Sequence, residues 1–352
     1  MSKRAIFRAD ANTKIGTGHI LRCKLLAHKL QALGFQIFFI AKNLTEDLAD
    51  DLTRYSFTVV QFEKNQKESD LVYNFFKRYR QREKTIFIID HDAPELHDLE
   101  FQSIIRNDYG LRLMYFSFDD KYDFLADIVL NQNIRALQMN YQVGSRTKLL
   151  LGPQYAILSD TYAKLQKDGL KQFSDKEDNC LLFFGGADVS RQTLRYLKAL
   201  GNNTKLFRSL IVVCGSLNPD LDAIKLYIDD HKEMDATLYI NTTKMPELMA
   251  KAKYALTSGG LTLWELACLN TLQIVSPSSE RERKTVAFCV EQKLVHHLKD
   301  TNLMTDLELL KHIAAYKKDR LNSLMVKNFN KVVAVNGVEK VTEKIDNLIS
   351  DS

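Results

Sequence analysis

The chain has 352 residues, of which 45% are hydrophobic and 26% are charged, and 49 basic residues stand against 44 acidic ones. This composition is typical of a globular protein, and the length predicts two domains. The small positive net charge of +5 is spread along the chain, which favours an anionic small ligand and argues against a nucleic-acid partner.

The compartment follows from targeting signals and cysteines. No apolar run approaches the ~20 residues that a membrane span needs, and no signal-like stretch follows Met1, so we expect no membrane span and a cytoplasmic protein. Five widely spaced cysteines without a C-x-x-C pair indicate free thiols in a reducing compartment. They are Cys23, Cys180, Cys214, Cys268 and Cys289.

The first half alternates short apolar runs with longer amphipathic segments, the pattern of a parallel sheet with crossover helices. The spacing of "HILRCKLLAHKLQALG" predicts a helix that ends at Gly34. Strands are predicted at 5–9, 35–41, 57–62, 85–90, 111–118 and 127–131, and further helices at 66–82 and 95–107.

The same pattern begins again after the polar stretch "KLQKDGLKQFSDKEDN". Strands are predicted at 180–184, 209–214, 236–240, 254–257 and 272–276, and helices at 189–200, 245–252, 261–269 and within 332–349. We therefore predict an α/β protein with two Rossmann-like doubly wound domains, 1–165 and 166–352, facing a cleft. A ligand would lie there at the carboxyl ends of the strands.

Three predicted strands end in glycine-bearing turns followed by helices: "ADANTKIGTGH", "FFGGADVS" and "LTSGGLTLWE". Open backbone N–H groups and the helix dipole favour phosphate at such turns, although glycines also end strands that bind nothing. None of the turns is a P-loop, and "GTGHIL" lacks the third glycine of the dinucleotide fingerprint. The three turns together predict a phosphorylated ligand, with candidate contacts at Gly16, Thr17, Gly18, Gly185, Gly186, Ser258, Gly259 and Gly260.

Glu265 follows Gly259 by one and a half helical turns. A carboxylate there could accept two hydrogen bonds from a ribose diol. It could equally be a surface glutamate close to a helix N-terminus.

His19 begins the helix that follows the first glycine turn. Its imidazole could take a proton from water near neutral pH, or it could be a structural residue at a helix start. Asp10 is the nearest carboxylate that could orient the ring or help polarise a water, and Arg8 and Arg22 could hold a carboxylate or the Asp10 side chain. Arg22 is also a candidate contact for the substrate or its nucleotide. Since no histidine pair has metal-ligand spacing beside a carboxylate set, we predict no metal and no cofactor.

Six segments together resemble a known family: "RADANTKIGTGHILRCKLLA", "FIIDHD", "FDDKYDFLADIVLNQN", "LLLGPQYAILSDTY", "FFGGADVSRQTL" and "MPELMAKAKYALTSGGLTLWELACL". In these the chain is similar to the pseudaminic-acid pathway UDP-sugar hydrolases and their spore-coat polysaccharide relatives, over about residues 3 to 275. The resemblance implies a GT-B-like fold that holds the nucleotide mainly in its C-terminal domain. It also implies metal-independent, inverting hydrolysis of a UDP-linked 2,4-diacetamido-2,4,6-trideoxy-β-L-altrose to free sugar and UDP.

The resemblance further implies site residues: His19 as the base that activates water, and Gly259, Gly260 and Glu265 as nucleotide contacts. The chain departs from the family at Leu261, at Asp92, and in "LNTLQIVSPSSERERKTV", where the family has an Asn-Gln pair beside the sugar. A glycosyltransferase that activates an acceptor hydroxyl and a binding module without turnover are therefore alternatives. We expect a monomer.

Overall fold

The computed structural model describes residues 3–11, 17–42, 44–63, 65–79, 84–299 and 301–351, which form two compact units. Unit 1 combines residues up to 159 with those from 336 onward, and unit 2 spans 160–335. The strands are β1 (Arg4–Ala9), β2 (Gln36–Ala41), β3 (Thr58–Gln61), β4 (Thr85–Asp90), β5 (Arg112–Phe116), β6 (Ile128–Asn131), β7 (Lys148–Leu151), β8 (Asn179–Phe183), β9 (Ser209–Cys214), β10 (Ala236–Ile240), β11 (Tyr254–Thr257), β12 (Leu272–Val275) and β13 (His296–His297). The helices are α1 (Gly18–Ala32), α2 (Glu46–Arg54), α3 (Glu68–Arg78), α4 (Leu99–Ser103), α5 (Asp160–Lys167), α6 (Gln192–Gly201), α7 (Leu221–Asp230), α8 (Met245–Lys251), α9 (Thr262–Ala267), α10 (Glu280–Glu291), α11 (Asp306–Lys317), α12 (Asn322–Val332) and α13 (Gly337–Ser350).

Unit 1 is built on a parallel seven-stranded sheet of order β3-β2-β1-β4-β5-β6-β7. Both faces are covered, since Ala5 and Phe7 of β1 belong to the apolar core on the side of α1, whereas Ile6 belongs to the core on the side of α3. Burial on both faces explains why the strands are almost continuous apolar runs.

The carboxyl ends of β1 and β4 meet in the middle of this sheet. The two strands are direct neighbours, with Ala9 opposite Asp90, although β2 and β3 lie between them in the chain. The strand order reverses at this point, which is where open α/β sheets commonly bind ligands.

Helix α13 returns to unit 1 from the C-terminal end of the chain. Its residues Val338, Val341 and Ile345 are at most 1% exposed and complete the core beside α1. The start of the helix is packed so tightly that a Cβ on Gly337 would lie 2.3 Å from the carbonyl oxygen of Ala156. The division of the chain thus differs from the predicted 1–165 and 166–352, because helix periodicity does not tell which sheet an amphipathic helix covers.

Unit 2 has a parallel six-stranded sheet of order β10-β9-β8-β11-β12-β13. Its strand order reverses between β8 and β11, where Phe183 pairs with Thr257. The turns that contain Gly185 and Gly259 directly follow these two strands, so two of the predicted glycine turns lie at the edge where open α/β sheets commonly bind ligands.

The predicted fold class, α/β with two doubly wound domains, is confirmed. Each strand predicted from an apolar run is present. Two strands were not predicted, β7 and the two-residue β13, because one is short with a polar start and the other consists of histidines. None of the helices in the described part of the chain is long and apolar enough to span a lipid bilayer.

Candidate functional site

His19 is the second residue of α1, at the carboxyl edge of the unit 1 sheet. The helix starts at Gly18, where a Cβ would meet no atom within 4 Å, and Thr17 precedes it without a side-chain capping bond. Gly16 lies outside the described residues, and its proposed ligand contact stays a prediction. The His19 side chain is 17% exposed, so it combines a fixed position with access from solvent.

Asp90, at the end of β4, holds the His19 ring. The distance from His19 Nδ1 to Asp90 Oδ1 is 2.6 Å, and the carboxylate is fully buried. Burial alone would raise the pKa of Asp90, but the charges of Arg22 and His19 outweigh it and hold this pKa below its usual value. An ionised carboxylate only accepts hydrogen bonds, so Nδ1 is the ring nitrogen that donates to Asp90, and Nε2 is the nitrogen left for another partner.

Arg22 lies on the same carboxylate. Its Nε donates to Asp90 Oδ2 at 2.5 Å, and its Nη2 donates to Oδ1. The guanidinium also lies 4.9 Å from the ring centre of Phe116 and 4.6 Å from that of Phe118. These contacts place Arg22 on the carboxylate of Asp90, while its contact with the substrate stays a prediction.

Asp10 belongs to a neighbouring polar network. It accepts from Arg8 Nη2 at 2.6 Å and from the backbone N–H of Lys42 at 2.8 Å, and His91 Nε2 lies 3.2 Å away. Burial would raise the pKa of Asp10, but the hydrogen bonds from His91 and Arg8 and the charge of Arg8 hold it below its usual value. The orienting role that we expected of Asp10 thus goes to Asp90.

The alternation of side chains along a strand explains why Asp90, and not Asp10, contacts His19. Successive residues of a strand face opposite sides of the sheet. Asp10 shares its side with Ile6, in the core beside α3, whereas Asp90 shares its side with Ile88, in the core beside α1. His19 is on α1, so Asp90 is the carboxylate that it meets.

One group of metal-type ligands occurs among the described residues. Ligand atoms of Asp10, Glu68 and His91 lie within 4.8 Å of one another. Arg8 donates to Asp10 and, at 2.8 Å, to Glu68, and Lys42 Nζ lies 2.8 Å from Glu68. Because these side-chain cations already balance both carboxylates, the donor set does not favour a metal ion.

The turn after β8 is closed by the protein itself. Gly185 has a φ of +90°, which favours glycine, and Asp188 then folds over the start of α6. The Asp188 carboxylate accepts the backbone N–H groups of Gln192 at 2.9 Å and Thr193 at 2.8 Å. The N–H groups at the start of α6 are therefore occupied by Asp188. A ligand at this turn would have to be bound by the backbone of Gly185 and Gly186, and that contact stays a prediction.

The turn after β11 packs against α10. A Cβ on Gly259 would lie 2.7 Å from Val286 Cγ2 and 2.9 Å from Glu282 Cβ, whereas one on Gly260 would lie 3.3 Å from Glu282 Oε1. The Glu282 carboxylate is held by the backbone N–H of Ser278 at 2.6 Å. Ser258 is itself buried, so the turn presents mainly backbone atoms.

We expect Gly259→Ala to destabilise unit 2 by about 1–3 kcal/mol, because the new methyl group must displace side-chain carbons that cannot swing away. Gly260→Ala is the matched control and should cost less than about 1 kcal/mol, since it meets only the end of a flexible side chain. Urea denaturation of both variants measures the difference. Equal losses would contradict the packing described for Gly259.

Glu265 is half-buried on α9, beside Tyr162 on α5, whose hydroxyl donates to Met249 Sδ at 3.7 Å. Burial raises the pKa of Glu265, and the nearby Tyr162 hydroxyl opposes this by a smaller amount. The same burial raises the pKa of the Tyr162 phenol, which keeps it a donor. Glu265 and Tyr162 are 103 residues apart in the chain, so their proximity could not be predicted from local spacing.

The chain is similar in sequence to several known proteins. No protein-family model matches it. An uncharacterized protein of Methanocaldococcus jannaschii is 27% identical over 285 residues, 78% of this chain but only 56% of the relative. The UDP-2,4-diacetamido-2,4,6-trideoxy-beta-L-altropyranose hydrolase of Campylobacter jejuni is 22% identical over 258 residues, 72% of this chain and 84% of the relative. The spore coat polysaccharide biosynthesis protein SpsG of Bacillus subtilis is 23% identical over 289 residues, 81% of this chain and 80% of the relative. The resemblance to these two kinds of protein is thereby confirmed.

Solved structures of low sequence identity share the fold. MurG of Acinetobacter baumannii matches with a TM-score of 0.66 and 13% identity, over 98% of this chain and 99% of MurG. The calicheamicin glycosyltransferase CalG4 matches with a TM-score of 0.68 and 10% identity, over 99% of both chains. The two α/β units therefore have the fold of GT-B glycosyltransferases.

Proposed function

We propose that this chain is an enzyme of polysaccharide biosynthesis that acts on a nucleotide-activated sugar, and within this class a hydrolase. The substrate is a UDP-linked diacetamido-trideoxyhexose, and the products are UDP and the free sugar, an intermediate for a nonulosonic (pseudaminic-type) acid or related surface glycan. The observation that carries the proposal is the His19–Asp90 pair, because it supplies a fixed base at the ligand-binding edge of unit 1. The relative named as a UDP-diacetamido-trideoxyaltropyranose hydrolase supports the choice of substrate.

In the proposed reaction His19 activates water. The Nε2 atom of His19 accepts a proton as the water oxygen bonds to the anomeric carbon, and Asp90 stabilises the resulting imidazolium. The bond from the anomeric carbon to the diphosphate oxygen breaks, and its electron pair leaves with UDP. Attack from the face opposite the leaving group inverts the anomeric centre.

Unit 2 holds the nucleotide in this proposal. Backbone N–H groups of the Ser258–Gly260 turn offer donors to the diphosphate, and no metal ion is required for its departure. The Glu265 carboxylate accepts hydrogen bonds from the ribose diol. Thr17 and Gly18 lie at the start of α1 beside the base, where the sugar end of the substrate arrives.

A glycosyltransferase is the second candidate, because glycosyltransferases such as MurG and CalG4 share this fold. In that case His19 deprotonates an acceptor hydroxyl. The start of α10 supports this alternative, since the exposed Arg281, Arg283 and Lys284 replace the family's Asn-Gln segment.

Product analysis with purified protein tests the proposal. UDP-2,4-diacetamido-2,4,6-trideoxy-β-L-altropyranose is supplied without an acceptor, UDP release is followed, and the first anomer formed is identified by ¹H NMR. We expect free sugar with inverted configuration, at a rate unchanged by EDTA. UDP release that requires an acceptor would establish a transferase, and UDP binding without turnover of any nucleotide sugar would establish a binding module.

A further inference from the structure

Arg22 lies one helical turn after His19 on α1, so the two side chains share one face of the helix. It is 4% exposed, which is unusual for an arginine unless its charge is compensated. The compensating charge is Asp90, the residue that holds His19.

The Nε and Nη2 atoms of the Arg22 guanidinium donate hydrogen bonds to the two oxygens of the Asp90 carboxylate. Such a bidentate arrangement fixes the plane of the carboxylate as well as its position. The Nη2 atom also lies 3.2 Å from His19 Nδ1, so the three groups form one compact cluster.

Aromatic rings hold the guanidinium in turn. It lies over Phe116, the last residue of β5, and over Phe118 in the following loop. Phe118 and His19 also form an edge-type ring pair, with 5.8 Å between ring centres and 62° between the ring planes. The orientation of Asp90 is therefore imposed from α1 and from β5, and not by β4 alone.

We propose that Arg22 is a positioning residue that acts on His19 through Asp90. By fixing the carboxylate in one plane, Arg22 keeps the Nδ1–H of His19 directed at Asp90 Oδ1 and leaves Nε2 as the atom that meets the substrate. Its effect on turnover rests on the proposed function, whereas its effect on the His19–Asp90 hydrogen bond does not.

The kinetic test uses Arg22→Met and Arg22→Lys. We expect Arg22→Met to lower kcat about 10–100-fold, as loss of a group that orients a functional histidine does, with KM within about threefold of wild type. Arg22→Lys retains the charge and should recover part of kcat. When Asp90 is already asparagine, adding Arg22→Met should lower kcat further by less than about threefold, because the two residues act together on His19.

The second test is independent of turnover. The His19 Nδ1 proton is observed by ¹H NMR as a strongly deshielded signal and is assigned by its absence in His19→Asn. We expect the signal to move or to be lost in Arg22→Met, and to be unchanged in Arg106→Met, which removes an Arg–Asp pair of the same unit outside the site.

Each test can overturn the inference. An unmoved His19 signal in folded Arg22→Met, or a loss of kcat that is additive with Asp90→Asn, would show that Arg22 does not position His19. If Arg22→Met does not fold by circular dichroism, Arg22→Lys is decisive: wild-type kcat together with a wild-type signal would overturn it. If no nucleotide sugar is turned over, the proposed function fails and the NMR result alone decides on Arg22.

Discussion

Replacement of His19 by asparagine is expected to lower kcat for UDP release by at least ~100-fold, the size of effect typical of a general base. The asparagine amide can still donate to Asp90, so the local hydrogen bond and the helix start are retained. What is lost is the basic Nε2 atom. Because the base is needed in the transition state and not for binding, KM should change little. Initial rates of UDP release at saturating nucleotide sugar measure the effect.

His312→Asn is the matched control, since His312 is an exposed histidine on α11 of unit 2 that has no part in the proposed site. It should retain the wild-type rate. A folded His19→Asn enzyme with normal turnover would remove His19 from the mechanism while leaving the fold and the nucleotide site untouched.

Replacement of Asp90 by asparagine should affect both activity and stability. The amide can present either its oxygen or its NH₂ group to His19, so the required tautomer is no longer enforced, and we expect kcat to fall about 10²–10⁴-fold. Arg22 simultaneously loses its buried counter-charge, which should destabilise the fold by about 3–5 kcal/mol at neutral pH. Initial rates and urea denaturation measure the two effects.

The loss of stability should depend on pH. The pKa of Asp90 is held below its ordinary value of 3.8, so its ionised form contributes stability that is complete above that value and is lost as the pH falls through the folded pKa. The difference in unfolding free energy between wild type and Asp90→Asn should therefore shrink on going from about pH 7 to about pH 3.

Asp51→Asn is the control for this pair of effects. Asp51 pairs with Lys24 in the same unit but is partly exposed, and its removal should cost less than about 1 kcal/mol without changing kcat. Equal stability of Asp90→Asn and Asp51→Asn, or unchanged turnover in Asp90→Asn, would contradict the role given to Asp90.

The strand that carries the partner of His19 could be predicted from the sequence, but the partner itself could not. A buried parallel strand has an apolar signature, so β1 and β4 could be predicted, each with a carboxylate at its end. Periodicity says nothing about which strands are neighbours. The sequence does not show that Ala9 pairs with Asp90. Along the chain, the carboxylate nearest to His19 is Asp10, and Asp90 is one polar residue at the end of another strand.

The same limit holds in unit 2. The glycine turns could be predicted because glycine has a specific conformational meaning, and Glu265 could be found by its helical distance from Gly259. Tyr162, which lies beside Glu265, comes from the very start of unit 2 in the chain. The Asp188 carboxylate occupies the N–H groups of Gln192 and Thr193, which the sequence alone leaves available to a ligand. Long-range contacts of polar side chains have no local signal.

The position of α13 has a consequence for how the chain folds during synthesis. Residues 160–335 form a unit of their own and can fold once they have left the ribosome, whereas the core of unit 1 lacks Val338, Val341 and Ile345 until α13 has been synthesised as well. Of the two sheets, the one synthesised first is therefore covered second. Its face beside α1, which is also the face of Asp90 and His19, is fully covered only when α13 packs against it, so the surroundings of the base are completed after unit 2 has been synthesised.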